Sequence, residues 1–232
     1  MLLELKSVEF AWPGQAPLLH IPEFGMTAGE HVFLKGPSGS GKSTLLGLIA
    51  GVLTAQSGEI SFDGQDLTRM SNAQRDKLRA RDMGVIFQLF NLLPYLDLLS
   101  NVALPCRLSA ERRKRAESDG ESVENEARRL LSALGLSEHV DRGAPVSELS
   151  VGQQQRVAAA RALIGLPKLI IADEPTSSVD TEVRNVFIEL LKSECQKTNT
   201  ALLFVSHDPE LASQFDRVVN LNELNSCAKE PA

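Results

Sequence analysis

The chain has 232 residues, 43% of them hydrophobic and 23% charged, with a formal net charge of −6. That size supports one well-buried core, and the acidic balance argues against a general affinity for nucleic acid or anionic membrane surfaces. No apolar run approaches the ~18–20 residues that span a bilayer, and Cys106, Cys195 and Cys227 have no metal or redox spacing, so they read as idle thiols of a reducing cytoplasm.

The first ten residues, MLLELKSVEF, alternate around Leu3 and Leu5 and carry Glu4 and Lys6, which predicts a strand rather than a leader, with a turn at Trp12-Pro13-Gly14. A second strand is predicted over 31–35, then the glycine- and serine-rich loop 36-GPSGSGKST-44 and a helix with Gly51 as its cap. The stretch 59-EISFDGQDL-67 predicts a strand with a tight corner at Asp63-Gly64, 71–82 a polar helix, and 84-GVIFQ-88 a short buried strand ending on Gln88. From 89 to about 164 the pattern is helical, best over 125–136, where Ala127, Leu130, Leu131 and Leu134 share a face ended by Gly135. Within it, 109–126 is dense in charge of both signs and predicts a solvated helix or mobile insert rather than a binding patch at 112–115. Buried strands are predicted at 168–175 and 201–208, an amphipathic helix with Val183, Val186, Phe187, Leu190 and Leu191 on one face, and a last strand over 217–221. Strands alternating with helices imply a mostly parallel sheet covered on both faces.

The loop 36-GPSGSGKS-43 fits the phosphate-cradling pattern G-x-x-x-x-G-K-[ST] between a strand and a helix. There Lys42 can reach the outer phosphates and the Ser43 hydroxyl can ligate Mg²⁺. The apolar strand 169-LIIADEP-175 delivers Asp173, a metal-holding carboxylate, and Glu174, placed to orient and deprotonate an attacking water. Gln88 and His207 end two further strands on the same sheet edge, the usual ligand crevice of such folds. His20, His31 and His139 have no such placement and read as structural or exposed.

Taken in order, Trp12, 36-GPSGSGKST-44, Gln88, 149-LSVGQ-153, 169-LIIADE-174, 177-SSVD-180 and His207 resemble the nucleotide-binding subunit of ATP-binding cassette (ABC) transporters over nearly the whole chain. The resemblance implies an α/β fold of the P-loop NTPase type, a mostly parallel sheet core with an N-terminal antiparallel β subdomain and a helical subdomain at about 89–164, all in one domain over 1–232. It implies ATP and Mg²⁺ as cofactors. Trp12 would stack on adenine, and Gly36, Pro37, Ser38, Gly39, Ser40, Gly41, Lys42, Ser43 and Thr44 would enclose the phosphates. Ser43, Gln88 and Asp173 would hold the metal, with Glu174, His207 and Gln88 as the catalytic groups. Ser150, Gly152, Gln153 and Asp180 would complete the site across a head-to-tail dimer with a second copy of the chain.

The segments 66–88 and 87–105 resemble the lipoprotein-releasing and macrolide-exporter branch, which implies separate membrane permease subunits, a periplasmic adaptor on the efflux side, and a place on the cytoplasmic face of a bacterial inner membrane, without a nucleic-acid partner. Polar amino-acid importers share the FQ-x-FNL-x-P segment, so the energy subunit of a small-solute importer is an alternative, as is a soluble ABC ATPase without transport. Two departures stand out: Val151 replaces the usual glycine of the signature, and Ser100 stands where many relatives carry Glu.

Overall fold

The computed structural model describes residues 1–177 and 181–229. Strand β1 (Leu3–Ala11) buries Leu3 and Leu5, then Val8 and Phe10, by a period-two alternation whose phase shifts at Ser7, φ 48°, where its register with the strand at 57–62 also shifts. It pairs antiparallel with β2 (Pro17–Met26), in register from Leu3↔Met26 to Phe10↔Leu19. Pro22 and Gly25 disguise β2 in the sequence, and no strand is anticipated there. Its edge position in the order β2-β1-β4-β5 explains why the proline is tolerated. Strand β4 (Ser57–Phe62) flanks β1 on the other side, and β5 (Gln65–Asp66) returns beside it. The two-residue corner between them has φ of 50° at Asp63 and 73° at Gly64, the left-handed pair that a tight hairpin needs.

The second sheet is wholly parallel, in the order β6-β7-β8-β3-β9. It is built from β3 (His31–Lys35), β6 (Met83–Ile86), β7 (Leu169–Asp173), β8 (Ala201–Val205) and β9 (Arg217–Asn220). Alternate residues face two cores. Val32, Leu34, Ile171, Leu203 and Val205 pack with the antiparallel sheet and helix α1 (Lys42–Ile49), while Phe33, Ile170, Ala172, Leu202 and Phe204 meet the helical layer. Each fully buried Leu or Ile contributes about 1.5–3 kcal/mol to holding these layers together. Helix α2 (Asn72–Asp82) leads into β6 and opens with a reciprocal Ser71–Gln74 capping box. Strand β6 ends two residues before Gln88, which lies exposed in the following turn rather than at a strand end.

The helical layer contains α3 (Leu98–Leu108), α4 (Ala110–Ala116), α5 (Val123–Ala133), α6 (Ser137–Asp141) and α7 (Val151–Leu163). The predicted face of α5 is buried, with Leu134 as C-cap and Gly135 beyond it at φ 75°. The charged stretch before it departs from expectation. Arg112 is only 2% exposed and donates from its guanidinium to Met83 O, Ala162 O and Ile164 O at 2.6–3.1 Å. The last two carbonyls lie at the end of α7, where a basic side chain satisfies acceptors the helix cannot. Arg113, one residue on, stays exposed as the charge pattern predicts. Helix α8 (Thr181–Lys197) buries Phe187 and Leu191 but leaves Val186 42% exposed, outside the expected face. A short α9 (Leu221–Leu224) follows β9.

Candidate active site

The carboxyl ends of β3, β7 and β8 open on one edge of the parallel sheet, where a ligand can be met by strand-end loops. From β3 the chain passes through the loop 36–41 into α1. Gly41 is the N-cap of α1 at φ 94°, and a Cβ there would come within 2.9 Å of Leu19 Cδ2. No side chain caps this helix and no acid sits in its first turn, so its unpaired N–H groups and positive dipole end are left for an anion. Lys42 Nζ donates to Gly36 O at 2.8 Å and Pro37 O at 3.0 Å, and Ser40 N donates to Pro37 O at 3.3 Å, which together close the loop into a ring. The same Nζ stands 3.9 Å from Glu174 Oε1.

Strand β7 brings the acids. Ser43 Oγ donates to Asp173 Oδ2 at 3.3 Å across 130 residues of sequence. Burial pushes the Asp173 carboxyl above its ordinary 3.8 and the neighbouring Glu174 adds to this, while the Ser43 hydrogen bond and Lys42 oppose it. A hydroxyl and a carboxylate oxygen held together fit the hard-cation donor set of Mg²⁺, whose charge would reverse the effect of burial. Glu174 lies at φ 45°, a left-handed conformation costing on the order of 1–3 kcal/mol that functional sites sustain. Its N–H donates to Val205 O at 3.0 Å, so β8 fixes the backbone. Its Oε2 is 2.9 Å from Nδ1 of His207, with the Glu174 side chain 14% and the His207 side chain 68% exposed.

These groups share a cleft of about 560 Å³, lined by Ser38, Gly39, Gly41, Lys42, Ser43 and Thr44 on one side and Gln88, Asp173, Glu174, Ser177 and His207 on the other. Gly36, Pro37 and Ser40 shape the loop rather than line the space. Leu18 also lines it, a residue missed together with the strand β2 that carries it. Trp12 does not line the cleft; it is 40% exposed and packs edge-on against Phe10 with ring centroids 5.1 Å apart. Asp180 lies outside the described residues. Ser150, Gly152 and Gln153 stand apart from the cleft at the start of α7. There Ser150 Oγ accepts from Gln153 N at 3.3 Å and Gln153 Oε1 accepts from Ser150 N at 2.9 Å, a capping box that presents a helix N-terminus outward.

A second cavity of about 650 Å³, between α1, α2, β6 and α3, shares Ser43 and Asp173 with the cleft. Phe87 and Leu108, 44% and 72% exposed, lie on its rim. Among the described residues no helix is long and apolar enough to cross a membrane.

The family model described as ABC transporter matches residues 19–177. The ABC transporter ATP-binding protein YbbA of Escherichia coli strain K12 is 44% identical over 199 residues, covering 86% of this chain and 83% of its own, and the Shigella flexneri YbbA matches equally. Among solved structures, a dimeric post-hydrolysis state of the ATP-binding cassette MJ0796 bound to ADP and Pi superposes with a TM-score of 0.79 at 31% identity, covering 94% of this chain and 93% of that one. A second dimeric structure of MJ0796, described as a bacterial ABC transporter cassette, gives 0.77 at 33% over the same shares.

Proposed function

The chain belongs to the ABC transporter family as an ATP-binding, ATP-hydrolysing subunit, and from that premise we propose that it powers lipoprotein release or efflux-type transport through separate membrane subunits. The observation that carries the hydrolytic reading is the convergence of Lys42, Ser43, Asp173, Glu174 and His207 on one cleft from three strand ends. The whole chain works as one cassette, with its helical part at about 89–164 turned toward the partner.

The loop N–H groups and the start of α1 bind the phosphates, and Lys42 exchanges its carbonyl partners Gly36 and Pro37 for phosphate oxygens. Ser43 and Asp173, with Gln88 at the cleft wall, would hold Mg²⁺, which when bound would supply charge neutralisation at the outer phosphates. Glu174 takes a proton from the attacking water as general base. His207, whose Nδ1 is bonded to the Glu174 carboxylate, orients that base. Trp12 is the adenine-stacking aromatic, and its exposed face suits that use. Ser150, Gly152 and Gln153, with Asp180, act on the nucleotide of a second copy in a head-to-tail dimer. The absence of Ser150, Gly152 and Gln153 from the cleft of their own subunit, and the dimeric state of MJ0796 in both solved structures, support this reading.

The apolar cavity beside the cleft, rimmed by Phe87 and Leu108, supports docking of a permease segment at the cytoplasmic membrane face. The segment 87–105 carries the branch assignment, and on the efflux side a periplasmic adaptor completes the assembly. Replacing Glu174 with Gln should leave ATP binding intact, cut turnover by about 10²–10⁴-fold and trap an ATP-bound dimer in size-exclusion chromatography. Lys42→Ala should remove most ATP affinity in the same preparation. Unaltered turnover in Glu174→Gln, or unaltered affinity in Lys42→Ala, refutes these roles. Purification from detergent-solubilised membranes without any integral partner refutes the transport role.

A further inference from the structure

Helix α7 is fastened at two points to the active site of its own subunit. Close to its start the fully buried Gln155 donates from Nε2 to Pro175 O at 2.9 Å, the carbonyl directly after Glu174. Six residues later Arg161 donates to Asn91 O at 2.7 Å and Phe90 O at 2.5 Å, in the loop just beyond Gln88. Phe90 and Asn91 both lie at left-handed φ, 58° and 49°, a shape non-glycine residues hold only with support. Burial of Arg161 lowers its guanidinium from the ordinary value, so its two carbonyl partners are what meet the charge there.

The helix itself is stiff. Its 13 residues span about 20 Å, the interior beyond Gly152 is rich in alanine, and the Ser150–Gln153 box fixes the first turn. At the far end α7 rests directly on β6, where a Cβ added to Gly84 would lie 2.3 Å from Ala162 O. A displacement of the signature end therefore moves the backbone beside Glu174 and the loop of Gln88 together, since packed elements transmit shifts rather than absorb them. The accepting carbonyls belong to residues that do not line the nucleotide cleft, so neither bond serves ATP binding.

We infer that Gln155 and Arg161 are positioning residues through which α7 couples contact with the partner's nucleotide to the catalytic groups of its own site. The inference rests on the composite-site reading given above. Turnover at one nucleotide then depends on occupancy of the other, a coupling seen as cooperativity.

The test is steady-state ATPase activity of the full chain against ATP concentration for wild type, Gln155→Met, Arg161→Met and Arg161→Lys, with ATP-analogue binding and circular dichroism in parallel. Gln155→Met keeps length and removes the donor. We expect kcat to fall about tenfold with KM within about twofold, and the Hill coefficient to drop from above 1 toward ~1. Arg161→Met should do the same and Arg161→Lys should restore part of both, because one carbonyl regains a donor. A purely structural role would scale the active fraction and leave the Hill coefficient alone, and that result overturns the inference. So does a KM that rises in proportion to the loss of kcat. If Gln155→Met fails to fold, the Arg161 pair decides: equal behaviour of Met and Lys overturns the coupling. Wild type without ATPase activity overturns the functional reading as well, whereas cooperative wild-type turnover preserved in both Met variants overturns only the coupling.

Discussion

Val151 stands directly after the N-cap Ser150, and its side chain is 45% exposed. A β-branched residue in the first helical turn leaves the capping box formed and Ser150 at ordinary extended angles, φ −61° and ψ 163°. The departure from the usual signature glycine therefore does not distort the backbone at the start of α7. Glycine would instead add unfolded-state freedom. Val151→Gly is expected to lower stability by about 0.5–1 kcal/mol in urea denaturation, with ATPase turnover changed less than about threefold. A tenfold faster variant would show that the valine side chain itself restrains closure of the dimer.

Among the elements, α4 shows how far a local pattern can mislead. Burial pushes the Arg112 guanidinium down to about 10, and three backbone carbonyls from β6 and the end of α7 take its hydrogen bonds. Arg112→Met should cost about 2–4 kcal/mol, because buried acceptors are left without donors. Arg113→Met, whose 3.6 Å pair with Glu117 lies in solvent, should stay within about 0.5 kcal/mol. Equal losses in chemical denaturation would contradict this distinction. A run of mixed charge carries no sign of the carbonyls 29 to 52 residues away that take the hydrogen bonds of one of its members, so Arg112 is not separable from its neighbours in sequence. Strand β2 was hidden for a related reason: Pro22 and Gly25 interrupt its alternation, and only its place at a sheet edge makes them harmless. Gln88 was placed on a strand because Phe87 prolongs the apolar run, yet Phe87 is exposed at the rim of the neighbouring cavity. By contrast β3, β7 and β8 are buried throughout or nearly so. Strand β7 ends on Asp173 with Glu174 next, Lys42 and Ser43 follow β3 across the glycine-rich loop, and His207 follows β8 by two residues. Motif spacing and strand ends single out these positions in the sequence. That part of the site was legible because each strand and its following loop form one local unit.

At the scale of the molecule, the cleft gathers Lys42, Ser43, Asp173 and Glu174 while Ser150, Gly152 and Gln153 lie outside it, so on the proposed reading each subunit carries two incomplete halves. In the head-to-tail pair proposed above, each cradle would meet the other subunit's signature, and that arrangement predicts complementation between defective chains. A Lys42→Ala subunit keeps a sound signature, and a Ser150→Arg subunit keeps a sound cradle. Each variant alone has both sites broken and should be nearly inactive. In an equimolar mixture half the randomly formed dimers are mixed, and each of these has one of its two sites whole. Turnover should therefore recover to at most about a quarter of wild type, and to less the more one site depends on the other. The comparison needs only the mixture and its two components, assayed at equal total protein after exchange. Recovery above the two components would place the signature in service of the other subunit, and substantial activity of Ser150→Arg alone would remove it from the reaction.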